Sequence, residues 1–123
     1  MTTVYDPNNI FARILRGEIP CNKVYEDAYA LAFNDIRPQA PVHVLVCPKG
    51  AYVSLTDFTA TATEAEIAGF YRAVGAVIAQ LGLDAGGYRT ITNTGLNGGQ
   101  EVPHLHVHIM AGRALGPMLA QRD

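Results

Sequence analysis

One stretch constrains the fold of this chain more than any other. It opens at Thr63-x-x-Glu66 and continues with Ile67, Phe70, Tyr71, Val74, Val77, Ile78 and Leu81. A threonine followed three positions later by glutamate forms a capping box, in which the two side chains satisfy the first free backbone N–H groups of a helix. Apolar residues at intervals of three and four then lay one continuous stripe along it. The spacing predicts a helix over residues 63–81, about 18 residues long, closed by Gly82 just past its end. Its many alanines leave room for close packing on a sheet or a partner. A doubly wound sheet needs several crossover helices of this kind, and the chain has one.

The rest of the sequence is short, strongly punctuated elements. Asp6-Pro7-Asn8-Asn9 reads as a turn that caps a short helix over residues 10–16, with Ile10, Phe11, Ile14 and Leu15 as its apolar side and Gly17 as its stop. Residues 23–26 and 30–34 read as two strands joined by a tight turn. Pro38 and Pro41 rule out regular structure between them, and the Val, Leu and His run at 42–47 suits a central strand that stops at Pro48-Lys49-Gly50. Residues 87–93 alternate as a strand, 94–99 form a glycine-rich loop, and 102–110 read as a last strand. Five strands, one short helix and one long helix, joined mostly by short turns, predict an α+β domain around a five-stranded antiparallel sheet. With 123 residues the chain makes one domain, residues 1–123.

Composition narrows the partners. The hydrophobic fraction is 49%, charged residues make up only 16%, and the formal net charge is -2, which fits a folded soluble protein and gives nucleic acid nothing to bind. No run approaches the ~20 apolar residues of a membrane span, and the start lacks the basic-then-apolar pattern of a secretory signal, so a cytoplasmic location is expected. Cys21 and Cys47 have no Cys-x-x-Cys spacing and are expected to be free thiols.

Of four histidines, three stand at alternate positions: His104, His106 and His108. In a strand these share one face, at ~6.7 Å intervals, and line a surface groove while Leu105, Val107 and Ile109 enter the core. Two chemistries remain open on this pattern. Histidines at i and i+2 can bind one zinc with a third ligand from elsewhere. Alternatively, one ring attacks as a nucleophile while its neighbours fix its tautomer and neutralise developing charge. The preceding segment, Asn93 to Gln100, is rich in glycine, and its backbone N–H groups are expected to form a nest for phosphate oxygens. Imidazoles beside amide donors suit phosphoryl chemistry, whereas a closed structural zinc site needs no such donors.

The stretches "IFARILRGEIPCNKVYED", "LAFNDIRPQAPVHVLVCPK", "LGLDAGGYRTITNTGLNGGQ" and "HLHVHIMAGR" together resemble the histidine triad (HIT) superfamily and, within it, the histidine triad nucleotide-binding (Hint) branch. The resemblance covers roughly residues 9–113 and leaves residues 114–123 as a tail. It implies a purine nucleoside phosphoramidate hydrolase, a nucleotidyl hydrolase or transferase acting at an α-phosphate. His106 would be the nucleophile, forming a covalent nucleotidyl-histidine. The carbonyl of His104 would accept the Nδ1 proton of His106, His108 would face the phosphate oxygens, and His43 would complete the group. Asp35 would bind the ribose hydroxyls. Phe11, Ile14, Ile19, Phe33 and Ile36 would wall in the base, and Asn93, Gly99 and Gln100 would lie near the phosphate and leaving group. A purine nucleotide such as AMP or GMP is the implied ligand, with no cofactor and no metal. A homodimer with a continuous sheet and packed long helices is also implied.

Two positions depart from the pattern. Glu101 stands where animal Hint proteins carry a small hydroxyl residue, and Pro103 replaces an aromatic. Simple alternation puts Glu101 opposite the histidines, but Pro103 cannot donate to a ladder and marks an edge or bulge that shifts the register. Some bacterial relatives carry a Cys-x-x-Cys zinc pair near the amino terminus, where this chain has "NIFARI", so no structural zinc is expected. The alternatives to the leading reading are a dinucleoside polyphosphate hydrolase and a non-catalytic purine nucleotide-binding regulatory protein.

Overall fold

The structure is a computed structural model and describes residues 4–120. Its elements in chain order are α1 (Ile10–Leu15), β1 (Lys23–Glu26), β2 (Ala30–Asn34), β3 (Val42–Pro48), α2 (Leu55–Thr61), α3 (Glu64–Gln80), β4 (Tyr88–Ile91), α4 (Gly95–Gly98) and β5 (Val107–Ala111). The five strands form one sheet in the order β1-β2-β3-β5-β4, each antiparallel to its neighbours. This is the expected α+β architecture.

Strand alternation sorts the core into two layers. Ala30, Ala32, Val44, Val46, Val107, Ile109 and Ala111 point to the face covered by α3, where they meet Phe70, Ala73, Val74, Val77 and Ile78. Leu31, Phe33, Leu45 and Cys47 point to the other face, where Phe11, Ile14 and Leu15 of α1 cover part of the sheet. β3 is therefore buried on both sides, which explains its nearly unbroken apolar run. Full burial of each such side chain contributes roughly 1.5–3 kcal/mol. Because α1 is short, it leaves the rest of its face open, and the candidate site lies there.

The caps form as the sequence predicts. Thr63 and Glu66 make both halves of the capping box at the start of α3, and Gly82 follows its end with φ +65°. Asn9 caps α1 by accepting from the Ala12 N–H at 2.9 Å. Cys47 is buried, Cys21 is partly buried, and both are free thiols. No helix among the described residues is long and apolar enough to cross a membrane.

Three expectations need correction. A second capping box, Ser54 with Asp57, starts the unpredicted helix α2, whose Phe58 is fully buried edge-on to Phe70. Burial alone would raise the Asp57 carboxyl, yet bonds from the Val53 and Ser54 N–H groups and the Ser54 hydroxyl hold it below its ordinary value. The glycine-rich stretch is not all loop, since Gly95–Gly98 closes one turn of helix and Gly99 ends it at φ +77°. The last strand begins at Val107, not at residue 102. Pro103 lacks an N–H for a ladder, the His104 N–H turns back to the Val102 carbonyl at 2.9 Å, and the Leu105 N–H goes to the Tyr52 carbonyl at 2.8 Å.

Candidate active site

The open part of the sheet face holds a cavity of about 550 Å³. Phe11, Ile14, Ile19, Phe33 and Ile36 form its apolar side, with Asp35 among them. Asn93, Gly99 and Glu101 also line it, together with His106 and His108. The apolar wall thus gathers the residues expected to hold a base, next to two of the four histidines. His43, His104 and Gln100 are not in the lining.

His106 is set by one bond. Its Nδ1–H donates to the His104 carbonyl at 2.7 Å, so the proton of the neutral ring sits on Nδ1 and the Nε2 lone pair is free. The Phe11 ring stands edge-on against it, centroids 4.9 Å apart, and restricts its rotation.

His108 carries the opposite tautomer, and the cause begins in the main chain. The Gln39 N–H donates to His43 Nδ1 at 3.0 Å, which leaves the His43 proton on Nε2. His43 and His108 lie diagonally across β3 and β5, since Leu45 is the register partner of His108 and Met110 that of His43. His43 Nε2–H then donates to His108 Nδ1 at 2.9 Å. The remaining proton of His108 therefore sits on Nε2, as a donor. Two rings with centroids 5.0 Å apart thus offer a lone pair and an N–H respectively.

Gln39 is itself held on its carbonyl side. Arg113 donates to its carbonyl at 2.9 Å, and Arg113 is brought there by Gly112, whose φ of +103° and contact with Pro41 leave no room for a Cβ. Asp35 is oriented by the Arg37 N–H, which donates to Oδ1 at 2.9 Å, while Oδ2 lies 3.4 Å from His43 Nε2. Asp35, His43 and His108 bring three potential ligand atoms within 4.8 Å of one another. A cation there would need the His43 Nε2 lone pair, and so the loss of the Gln39 bond to Nδ1. A hydrogen-bonded chain fits these residues better than a metal centre.

Two expectations for the site change. Leu105 joins Val107 and Ile109 in the core as alternation requires, but the His104 ring does not line the groove: it is fully buried against Tyr5, with Nε2–H donating to the Pro48 carbonyl at 2.8 Å. Three amides of the glycine-rich segment are used internally and are not offered to a phosphate: Gly95 N–H bonds the Gln100 side chain, Gly99 N–H the Leu96 carbonyl, and Gln100 N–H the Gly95 carbonyl. Gln100 is a brace whose amide also donates to the Val53 and Val102 carbonyls at 2.7 and 3.1 Å. Glu101, on which alternation was ambiguous, lies on the cavity side.

All four histidines are held neutral. Burial pushes His104 down to about 4, against the pull of the Pro48 carbonyl on its N–H. His108 falls to about 4 through burial and then through the rings of His106 and His43. Burial also lowers His106, opposed by its bond to the His104 carbonyl and by the charges of Asp35 and Glu101, and lowers His43, opposed by Asp35. A buried neutral histidine stabilises the fold above its unfolded value near 6.5, and that stability is lost as pH falls toward the folded value. For His104 the slope is roughly 1.4 kcal/mol per pH unit. Urea unfolding between pH 7 and 4.5 is expected to show a falling midpoint, and an unchanged midpoint across that window would contradict the burial of neutral rings.

Comparison with known proteins identifies the family. The HIT domain family matches residues 16–115. A HIT-like protein of Azospirillum brasilense is 63% identical over 121 residues, covering 98% of this chain and 99% of the relative. The purine nucleoside phosphoramidase of Escherichia coli strain K12 is 46% identical over 114 residues, covering 92% of this chain and 94% of that enzyme. A histidine triad protein from Clostridium difficile superposes with a TM-score of 0.81 at 42% identity, covering 94% of this chain and all of the other. The chain belongs to the HIT family, whose matched members include hydrolases.

Proposed function

We propose that the protein hydrolyses purine nucleoside 5′-phosphoramidates through a covalent nucleotidyl-histidine on His106. The observation that carries this reading is the Nδ1–H bond of His106 to the His104 carbonyl, which leaves Nε2 as a free nucleophile facing the cavity. In the first step Nε2 forms a bond to the α-phosphorus and the phosphorus–nitrogen bond breaks, its electron pair leaving on nitrogen, which carries a proton taken from solvent, and His106 becomes a nucleotidyl-imidazolium still protonated on Nδ1. Water then attacks the phosphorus, the bond to Nε2 breaks with its pair returning to the ring, the proton of the water passes to solvent, and the nucleoside monophosphate departs. His108 donates its Nε2–H to a phosphate oxygen in both steps, and the burial that lowers His106 keeps the nucleophile unprotonated near neutral pH.

The nucleoside end fits the apolar part of the cavity. Phe11, Ile14, Ile19, Phe33 and Ile36 form a slot for a flat base, and the Asp35 carboxylate suits a pair of ribose hydroxyls. Preference for purines, with AMP or GMP as product, is supported by the phosphoramidase from Escherichia coli. Glu101 favours an amine leaving group, because a carboxylate accepts from N–H and repels the additional phosphates of a dinucleoside polyphosphate. A homodimer joined through the long helices fits the exposed Tyr71 and Leu81 at the surface of α3 and its end. A cytoplasmic location fits the two free thiols.

Adenosine 5′-phosphoramidate is expected to yield AMP and amine, with much slower cleavage of a diadenosine triphosphate. Preferential cleavage of the triphosphate, or tight AMP binding without turnover of either compound, would overturn the assignment.

A further inference from the structure

Within the proposed reaction His104 acts through its main chain, yet its side chain is one of the most thoroughly buried polar groups in the protein. The carbonyl that fixes His106 lies in a segment, residues 101–106, that has no place in the strand ladder. The N–H of the same peptide, that of Leu105, is tied to the Tyr52 carbonyl at 2.8 Å, and the His104 side chain supplies a second anchor. The His104 ring is tied at both nitrogens: Nε2–H donates to the Pro48 carbonyl at 2.8 Å, and Nδ1 accepts from the Tyr5 hydroxyl at 2.6 Å. The two rings meet edge-on with centroids 5.5 Å apart. Tyr5 lies in the segment ahead of α1, and the same segment leads through the Asn9 cap to Phe11, which packs on the His106 ring. The amino-terminal segment therefore holds two consecutive members of the histidine row.

We propose that Tyr5 is a positioning residue: its hydroxyl locks the His104 ring, and through that ring the carbonyl that keeps His106 in its attacking tautomer. The inference rests on the nucleophile reading of His106 for its kinetic consequence, while the tautomer itself is observable without substrate. Burial and the Tyr5 donor favour neutral His104. The Pro48 carbonyl from β3 and the Asp57 charge from α2 favour protonation, and the His106 ring opposes it. Without the hydroxyl, Nδ1 becomes a buried acceptor with no partner, and the balance moves toward a protonated ring beside the nucleophile. An imidazolium there opposes the positive charge that His106 gains as it attacks.

The test is Tyr5→Phe, studied by nitrogen-15 NMR of the histidine rings and by phosphoramidate kinetics across pH. In the parent, His104 is expected in the Nε2–H form and His106 in the Nδ1–H form down to about pH 5. In the variant, His104 is expected to titrate at higher pH and His106 to become a mixture of tautomers. The expected kinetic result is a fall in kcat of about 10-fold with KM nearly unchanged, and an acid limb displaced upward. A lowered melting temperature with ring signals, kcat and acid limb all unchanged would reduce Tyr5 to a packing contact and overturn the proposal. Unaltered His104 and His106 signals would overturn it as well. If the ring signals change as expected but the parent itself releases no AMP, the positioning role stands and the hydrolase reading is what fails.

Discussion

Replacing His106 with alanine is expected to lower kcat for a purine nucleoside phosphoramidate by a factor of about 10⁴ to 10⁶, the scale on which removing a covalent nucleophile acts. The size follows from what the ring alone supplies. Among the described residues facing the cavity, the other candidates are poorer: His108 presents an N–H, Asp35 and Glu101 are weakly nucleophilic carboxylates, and burial pushes the Cys21 thiol up and away from its thiolate. The fold should survive, because the ring sits at the wall of an existing cavity and Phe11 retains Phe33 as an aromatic neighbour. AMP affinity measured by calorimetry should change little, since the base slot and Asp35 are untouched. A variant that turns over within 10-fold of the parent would show that the ring does not attack.

His108→Ala is expected to reduce kcat by about 10² to 10³, with a smaller change in KM, as for loss of a donor aimed at a developing oxyanion. The donor exists because of a chain that starts at a peptide bond: Gln39 N–H fixes His43, and His43 fixes His108. Removing the ring also strands His43 Nε2–H, whose remaining neighbour is Asp35 Oδ2 at 3.4 Å. Asp35 would then be drawn toward His43 and away from a ribose, so the variant should lose some discrimination between ribo- and deoxyribonucleotides. Steady-state kinetics with both sugars reads the two effects separately. An equal loss in kcat and in nucleotide affinity would make His108 a binding group without a transition-state role.

Much of this arrangement was legible in the sequence, and what was not has identifiable physical causes. The long helix and the five strands follow from periodicity and caps, so Thr63, Gly82 and the apolar run of β3 were sufficient to set the architecture. α2 escaped because its capping box uses Asp57 in place of glutamate and seven residues are too few to display a period. Alternation correctly sends Leu105, Val107 and Ile109 to the core, but it could not show that the His104 ring is covered by Tyr5 while His106 and His108 face the cavity. Backbone partners leave no side-chain signature, so the roles of Gln39 N–H and the Pro48 carbonyl were invisible. The glycines drew attention to their loop correctly as a lining element, but whether an amide is free depends on Leu96 and Gln100 partners that only the fold defines. Tyr5 is distant from His104 in sequence and lies in no motif.

The central claim is that His106 becomes covalently attached to the nucleotide, and stereochemistry at the α-phosphorus tests it most directly. A substrate made chiral there with sulfur and isotopic oxygen is hydrolysed in labelled water, and the configuration of the nucleoside monophosphate product is determined. Attack by His106 Nε2 followed by attack of water is two in-line displacements, each inverting, and the account predicts net retention. Net inversion would mean that water attacks the substrate in a single displacement, and the nucleotidyl-histidine would have to be abandoned.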